Sequence, residues 1–178
     1  MKIFYIFTVS TLLTSTAFAG GSFSLGYSHA KITDGDKLQG LNLKATNDLN
    51  DKWGVIYSLN FMQGQSKATT ETANSYYQSD SLTKYFSASV GPTYKVNKYL
   101  NFYGLLGLGV TNATLTKNTV SQQEEYHRRS PSLTYGVGTQ INITPNFLVD
   151  IGYEGTKSNN AIDNKLLNSF NIGIGYKF

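Results

Sequence analysis

The chain of 178 residues contains no cysteine, three prolines and one tryptophan. Without cysteine it can form neither a disulfide framework nor a thiolate zinc site, and it cannot use a thiol as a nucleophile. Charged residues make up 15% of the sequence, and the formal net charge is +4 with the basic residues scattered along the chain. A charge this small and this dispersed does not favour nucleic-acid binding.

Long hydrophobic runs are also scarce. One apolar stretch, residues 3–13, follows the cation Lys2 and precedes a small-residue pattern that ends at Ala19. This order predicts a secretory signal peptide over residues 1–19, because the apolar stretch is too short to span a bilayer as a helix. The remaining residues, 20–178, are enough for one domain.

Aromatic residues and glycine are abundant instead: ten Phe, thirteen Tyr and seventeen Gly. They fall in stretches where apolar residues alternate with small or polar ones, which is the pattern of a β-strand with one apolar face. Eight such stretches are present, covering residues 23–28, 41–46, 53–61, 86–96, 102–111, 133–142, 147–154 and 169–178. In the third stretch Ile56 is an exception, since it falls on the polar face.

The charges within these stretches indicate which face meets lipid. All of them fall on the polar face: Lys44, Lys95, Asp150, Glu154 and Lys177. A lysine on a lipid-exposed face at mid-membrane would cost about 2–4 kcal/mol. A soluble β-sandwich is the alternative, but we would expect many Lys and Glu on its second face. The sequence therefore predicts an all-β fold, an eight-stranded antiparallel transmembrane β-barrel filled by side chains, and disfavours a conducting porin.

The predicted connections alternate in length. Short turns are expected at residues 49–51, 97–99 and 144–146, and longer polar loops at residues 33–38, 64–81, 116–131 and 156–165. Bacterial outer-membrane barrels have short periplasmic turns and longer extracellular loops. With an even number of strands, the N-terminal and C-terminal strands of the barrel both have their free ends in the periplasm. Pro92 falls inside a strand, where it cannot donate to the ladder, so we expect a local bulge there.

Several motifs, in this order and spacing, resemble the Ail/Lom/OmpX family of enterobacterial outer-membrane proteins. They are residues 91–97 (GPTYKVN), 103–109 (YGLLGLG), 135–142 (YGVGTQIN), 150–154 (DIGYE) and 173–178 (GIGYKF). The resemblance extends over essentially all of residues 20–178 and is better in the strands than in the loops. It implies an eight-stranded barrel whose extracellular loops contact host cells, matrix proteins, complement regulators or lipopolysaccharide.

One departure from the family pattern follows Lys44. Members of the family typically continue with an aromatic residue, an Arg, an aromatic residue and a Glu, whereas residues 45–48 of this chain are Ala, Thr, Asn and Asp. The interior polar network that the family implies is therefore thinner here. We expect it to consist of Lys44, Asp150 and Glu154, which pair inside the barrel because a buried charge without a partner is costly.

The main functional prediction from the resemblance is an outer-membrane surface protein for host-cell adhesion and invasion or for serum (complement) resistance. The alternative is a structural or envelope-stress barrel of the OmpX type that interacts with lipopolysaccharide and has no dedicated host ligand. The expected partners are outer-membrane lipid and lipopolysaccharide, together with host matrix proteins, cell-surface glycans or complement regulators. The chain is expected to be a monomer, with no cofactor, metal or nucleic-acid partner.

Two groups of residues are candidates for surface contacts. The loop candidates are Tyr76, Tyr77, Lys117, His127, Arg128 and Arg129. Guanidinium groups suit sulfate and phosphate, and adjacent tyrosines suit protein contact. Each group also has an alternative without a binding role. The basic residues could belong to a solvated loop with internal ion pairs to Glu124 and Glu125, and the tyrosines could mark the rim of the barrel. The candidates for a lipopolysaccharide rim, which equally mark the polar boundary, are Lys31, Lys84, Lys157 and Lys165.

The sequence does not predict an enzyme. A small barrel that hydrolyses lipid A would need an activated serine beside a histidine. Of the two histidines, His29 is expected to face lipid near the outer boundary, and His127 has Ser130 nearby but no evident carboxylate to orient it. No catalytic residue is therefore assigned.

Overall fold

The computed structural model describes residues 20–32, 37–72, 75–119, 122–158 and 166–178. These residues form eight strands: β1 (Gly21–Ile32), β2 (Lys37–Asp48), β3 (Trp53–Thr72), β4 (Ser75–Lys95), β5 (Leu100–Thr119), β6 (Gln122–Asn142), β7 (Phe147–Ser158) and β8 (Leu166–Lys177). No helix with the length and apolar character needed to cross a membrane occurs in these ranges. The predicted signal peptide, residues 1–19, lies outside the described residues.

The strands form one closed antiparallel barrel in which each strand pairs with its sequence neighbours and β1 pairs with β8. The path that follows cross-strand partners once around the barrel from Ser24 returns to β1 at Ile32, a shift of eight residues. Eight strands give a barrel just wide enough for side chains to fill. The predicted fold class is confirmed.

The two faces of the barrel differ chemically, as the alternation predicts. On β3, Trp53, Tyr57 and Phe61 are exposed outward, whereas Ser58 and Asn60 are buried in the interior. Most other buried side chains are Ser, Thr or Asn. A water-soluble protein of this size does not normally expose such a continuous apolar surface, so the outward face is a surface for lipid.

Two small apolar clusters interrupt the polar interior. One consists of Ile56, Tyr103 and Leu105, and the other of Ala30, Leu38, Met62, Tyr85 and Leu167. The off-pattern Ile56 therefore points inward and has found apolar neighbours there, with none of its surface exposed.

Aromatic side chains mark the two ends of the lipid-facing surface. Near the short turns, Trp53 contacts Tyr94 with ring centroids 4.8 Å apart, and Phe147 contacts Tyr176 at 5.7 Å. At the opposite end, Phe61 contacts Phe86 at 4.7 Å. Aromatic girdles of this kind occupy the membrane–water interfaces of outer-membrane barrels.

The three short turns are built by side chains that replace missing backbone partners. The Asn50 side-chain oxygen accepts hydrogen bonds from the backbone N–H groups of Lys52 (3.0 Å) and Trp53 (2.8 Å). Asn97 accepts in the same way from Leu100 at 3.0 Å. These turns join β2 to β3, β4 to β5 and β6 to β7 at one end of the barrel, which corresponds to the periplasmic end.

The prediction of long loops at residues 64–81 and 116–131 was wrong. The β3–β4 ladder continues to the pair Thr72–Ser75, and the β5–β6 ladder continues to the pair Thr119–Gln122. These segments carry polar residues on both faces, so they lack the apolar alternation that reveals a half-buried strand. Of the other two predicted loops, residues 33–36 and 159–165 lie outside the described part of the chain.

The predicted bulge at Pro92 was also wrong. The pairs Val90–Leu106 and Thr93–Tyr103 on either side keep the same register, so no residue is inserted. The β4–β5 ladder simply omits Gly91 and Pro92, because proline has no N–H to donate. Gly91 allows the Gly104 carbonyl to approach closer than any Cβ would permit.

Candidate functional site

Half of the barrel is much taller than the membrane requires. The strands β1, β2, β7 and β8 have 12 residues each, whereas β3 to β6 have 20 or 21. At a rise of about 3.4 Å per residue and the usual tilt, the surplus extends about 20 Å beyond the short strands. The surplus lies opposite the short turns, at the end that faces the outside of the cell.

The surplus residues form a four-stranded sheet that we call the projecting sheet, made of residues 64–72, 75–83, 112–119 and 122–131. The pairing of β2 with β3 ends at Gln39–Gln63, and the pairing of β6 with β7 ends at Ser132–Ser158. Above these points, β3 to β6 continue to pair only with each other among the described residues.

The two outer strands of the projecting sheet present sheet edges. Residues 64–72 of β3 and residues 122–129 of β6 each have a ladder on one side only within the described ranges. An edge of this kind exposes backbone N–H and C=O groups that can pair with another extended chain. Within the described ranges, no further strand pairs with either of these two segments.

The residues predicted as loop candidates lie within this sheet, and the structure describes the backbone of each. Tyr76 and Tyr77 pair with Glu71 and Thr70, one and two steps from the last described pair of β3 and β4. In the β5–β6 hairpin, residues 127–129 pair with residues 112–114. They are strand positions and not loop positions.

Lys117 is separated from the other basic loop candidates. Its cross-strand partner is Glu124, and the partner of Thr116 is Glu125, at positions above residues 127–129 in the hairpin. The basic segment 127–129 is therefore nearer the membrane than Lys117. The structure brings residues 127–129 together and leaves Lys117 beside an acidic partner.

A ring of basic side chains surrounds the base of the projecting sheet, where the apolar outward face ends. Its members are exposed: Lys31, Lys37, Lys84, Arg129 and Lys157. We call it the basic rim. Lys31, Lys84 and Lys157 were predicted as members, and Arg129 was expected in a loop. Lys37 was missed, although it lies four residues before Leu41 and therefore on the same outward face of β2. The fourth predicted lysine, Lys165, lies outside the described residues.

The basic rim has three features that favour an anion. Lys31 and Lys37 are direct cross-strand partners, and like charges in this arrangement repel each other. On the other side of the barrel, Lys84 and Arg129 both pair with Asn112. Every Asp and Glu side chain that the structure describes lies either in the barrel interior or at the short-turn end, so none of them neutralises the rim.

The interior residues form two separate groups. Lys44 of β2 contacts Asp150 of β7 in a buried ion pair, and the Tyr103 hydroxyl donates to the same carboxylate oxygen at 3.1 Å. Glu154 instead accepts hydrogen bonds from Ser87 at 2.7 Å and from Tyr85 at 3.1 Å. Sequence reasoning did not include either tyrosine in the interior network. The position of Tyr103 on the polar face of its strand could have identified it.

The described residues show no arrangement for catalysis. His29 is exposed on the outward face, and no group of three or more His, Asp or Glu side chains in the described ranges could hold a metal ion. The buried groups Lys44, Asp150 and Glu154 are closed off from solvent, each with at most 2% of its surface exposed. The external surface is therefore the part of the molecule that can contact a partner.

The chain is similar in sequence and in structure to known outer-membrane proteins. The outer membrane protein β-barrel domain family matches residues 5–178. The virulence membrane protein PagC of Salmonella typhimurium is 30% identical, with 97% of this chain and 95% of PagC covered. The attachment invasion locus protein of Yersinia pseudotuberculosis is 36% identical over 88% of this chain and 84% of that protein. The crystal structure of Yersinia pestis Ail in complex with the heparin analogue sucrose octasulfate has a TM-score of 0.70 and 31% identity, covering 89% of this chain and 98% of Ail.

The outer-membrane proteins Lom and OmpX also match, so the resemblance inferred from the strand motifs is confirmed. The aligned regions include the whole barrel, whose outward face is suited to lipid. The protein is therefore located in the outer membrane. This chain belongs to the outer-membrane β-barrel proteins, within the Ail/Lom/OmpX family.

Proposed function

We propose that this protein attaches the bacterium to host cells and that the projecting sheet is its contact surface. The observation that carries the proposal is the surplus length of β3 to β6, which the membrane does not require. The relatives named for attachment, invasion and virulence support it. Serum resistance, through binding of a complement regulator, is a second activity that the same surface could provide.

The edges of the projecting sheet supply a mechanism for protein contact. An extended segment of a host protein can add to residues 64–72 or 122–129 as a further strand, since these segments have a ladder on one side only in the described ranges. In this mode the backbone hydrogen bonds supply affinity and alternate side chains supply specificity. The adjacent tyrosines, Tyr76 and Tyr77, lie on β4 beside the first of these edges.

A sulfated glycan is the second class of partner that we propose. The basic segment 127–129 contains two arginines, and guanidinium groups bind sulfate through paired hydrogen bonds. Arg129 is exposed on the outward face. The complex of Yersinia pestis Ail with a heparin analogue supports this class of ligand, which for the present chain is a proposal.

The test is expression in a non-adherent bacterium that lacks its own homologues, followed by binding to epithelial cells and by survival in serum. We expect increased binding to cells, increased survival, or both. A charge-neutralised variant, Arg128→Gln with Arg129→Gln, should lose binding to immobilised heparin, whereas Lys98→Gln at a short turn should retain it. No change in cell binding or serum survival, despite confirmed surface display, would contradict the proposal.

Interaction with lipopolysaccharide is the second candidate function, and the opposed Lys31–Lys37 pair favours it. A lipid A phosphate between the two ammonium groups would relieve their repulsion. The rim members Lys84 and Lys157 could bind further phosphates of the same leaflet. If this were the main role, deletion of the protein would make the envelope leaky and leave attachment to host cells unchanged.

Two further proposals concern maturation and assembly. We propose that residues 1–19 are removed during export, and sequencing of the N-terminus of the outer-membrane form should begin at Gly20. We also propose that the barrel is a monomer, which the mass of the protein–detergent complex in solution would test.

A further inference from the structure

The seam that closes the barrel lies between its first and last strands, so the start of β1 and the end of β8 meet there. The backbone N–H of Gly21 donates to the Phe178 carbonyl at 3.3 Å, and the Phe178 N–H donates to the Gly21 carbonyl at 3.1 Å. Gly20 immediately precedes β1 and therefore lies at the short-turn end, which corresponds to the periplasmic end.

The position of Gly20 is fixed by the last residues of β2. The backbone N–H of Asp48 donates to the Gly20 carbonyl at 3.1 Å, and the next residue, Gly21, pairs with Asn47. These contacts hold the carbonyl group of Gly20 in place. They also bring its Cα atom beside the side chain of Asp48.

The carboxylate of Asp48 is within ion-pair distance of a group attached to the Gly20 Cα atom. A Cβ atom added to Gly20 would stand 3.2 Å from Asp48 Oδ2. The α-nitrogen is bonded to the same Cα atom by a bond of similar length. If Gly20 is the first residue of the chain, rotation about its Cα–C bond brings the nitrogen to that position. This rotation leaves the carbonyl group that Asp48 holds where it is.

The surroundings of Asp48 allow a second cation beside it. Its Oδ2 atom is 2.6 Å from Lys95 Nζ, and less than a fifth of either side chain is exposed. A carboxylate has about four lone-pair sites, so it can accept from two ammonium groups. The nearest further charges along the seam are one of each sign: the carboxylate of the C-terminal Phe178 and the side chain of Lys177, whose cross-strand partner is Ser22.

We propose that removal of residues 1–19 creates an ion pair between the new ammonium group of Gly20 and the carboxylate of Asp48. Hydrolysis of the peptide bond before Gly20 consumes one water and leaves a carboxylate on Ala19 and an amino group on Gly20, which is mostly protonated at neutral pH. In the uncleaved chain the same nitrogen is an uncharged amide. The ion pair links the start of β1 to β2 and, through Lys95, to β4, so the barrel gains this contact only on maturation. The inference rests on the proposed cleavage before Gly20 and is independent of attachment to host cells.

The test moves the ammonium group away from Asp48 without removing the signal peptide. Ser-Gly-Ser is inserted between Ala19 and Gly20, and the thermal unfolding midpoint of the protein purified from the outer membrane is measured in detergent. We expect the insertion to lower the midpoint by roughly 2–4 °C. In an Asp48→Asn background the insertion should cause no further change. In the background of the exposed turn variant Asp51→Asn, the matched control, it should lower the midpoint as before.

A second measurement keeps the proposal testable if Asp48→Asn does not fold. A crystal structure of the unmodified protein from the outer membrane should place the Gly20 nitrogen within about 4 Å of an Asp48 carboxylate oxygen. An insertion that leaves the midpoint unchanged, or lowers it equally in the Asp48→Asn background, would overturn the ion pair, as would a Gly20 nitrogen directed into solvent. The mass of the unmodified protein separates the two proposals: a first residue other than Gly20 overturns the cleavage as well, whereas these other results overturn the ion pair alone.

Discussion

The short half of the barrel and its tall half solve different problems. The 12-residue strands β1, β2, β7 and β8 are about as long as the apolar band of an outer membrane requires. The 20- and 21-residue strands β3 to β6 share that membrane-spanning part and then continue into the projecting sheet. The membrane thus sets the length of the short half, and the proposed contact with host cells would account for the surplus of the tall half.

The short half depends on a buried ion pair that links two of its strands across the interior. Lys44 belongs to β2 and Asp150 to β7. Lys44→Met would leave Asp150 buried without a cation, and we expect the free energy of unfolding to fall by about 3–5 kcal/mol. Urea titrations of the barrel refolded in detergent would measure the loss.

The matched control for this prediction removes both charges. Lys44→Met with Asp150→Leu replaces the pair by apolar groups, and we expect it to recover most of the lost stability, since no charge is left unpaired. If the single and the double variants were equally unstable, the contribution of the pair would be packing and not electrostatics.

The next largest effect comes from comparing two positions on β5, one on the lipid-facing surface and one at the top of the projecting sheet. Leu106 of β5 is 65% exposed on the outward face within the membrane. Leu106→Lys should lower the free energy of unfolding by about 2–4 kcal/mol or prevent assembly. Thr119→Lys, at the far end of the same strand, should have little effect on heat-resistant migration in gels. Equal tolerance of the two substitutions would contradict the assignment of membrane and external parts.

Removal of the top of the tall half should affect contact with host cells and leave the barrel intact. If residues 66–81 are replaced by Asn-Gly, a two-residue turn joins β3 to β4 at the height of the short strands. We expect an unfolding midpoint close to that of the unmodified protein and a loss of binding to epithelial cells. A trimmed protein that is displayed at the surface and still mediates binding would show that the projecting sheet is not required.

The smallest effect concerns the basic rim, where the two halves meet. Lys84→Gln removes one exposed cation beside Asn112, and an exposed charge contributes little to folding. We expect unchanged stability and a several-fold weaker affinity for lipopolysaccharide at low salt. The control is Lys52→Gln, an exposed lysine at the short-turn end, which should not change this affinity.

The comparison also explains what the sequence could predict. Within the membrane, one face must be apolar and the other must be small or polar, so the alternation of residues such as those from Trp53 to Phe61 identifies strands and their orientation. The strand count, the barrel and the inward positions of Lys44, Asp150 and Glu154 follow from this constraint. The alternation is easy to recognise in the sequence because lipid requires an apolar residue at every outward position within the membrane.

The projecting sheet lies outside the membrane, so this constraint is absent there. Threonine-rich and serine-rich segments such as residues 66–72 pair well as strands, but their composition resembles that of a loop. Sequence reasoning therefore placed Tyr76, Tyr77 and residues 127–129 in loops. At Pro92 it correctly identified a break in the ladder but not its form, because a proline can omit a hydrogen bond without an inserted residue.

The most direct test of the account is a transfer of the projecting sheet. Residues 64–83 and 112–131 would be grafted onto the corresponding strands of a barrel from the same family that does not promote attachment, and binding of the bacteria to epithelial cells would be measured. The account predicts that the recipient gains binding, and that Arg128→Gln with Arg129→Gln in the graft reduces it. A recipient that displays the grafted sheet at its surface and gains no binding would contradict the claim that the surplus length of β3 to β6 serves contact with the host.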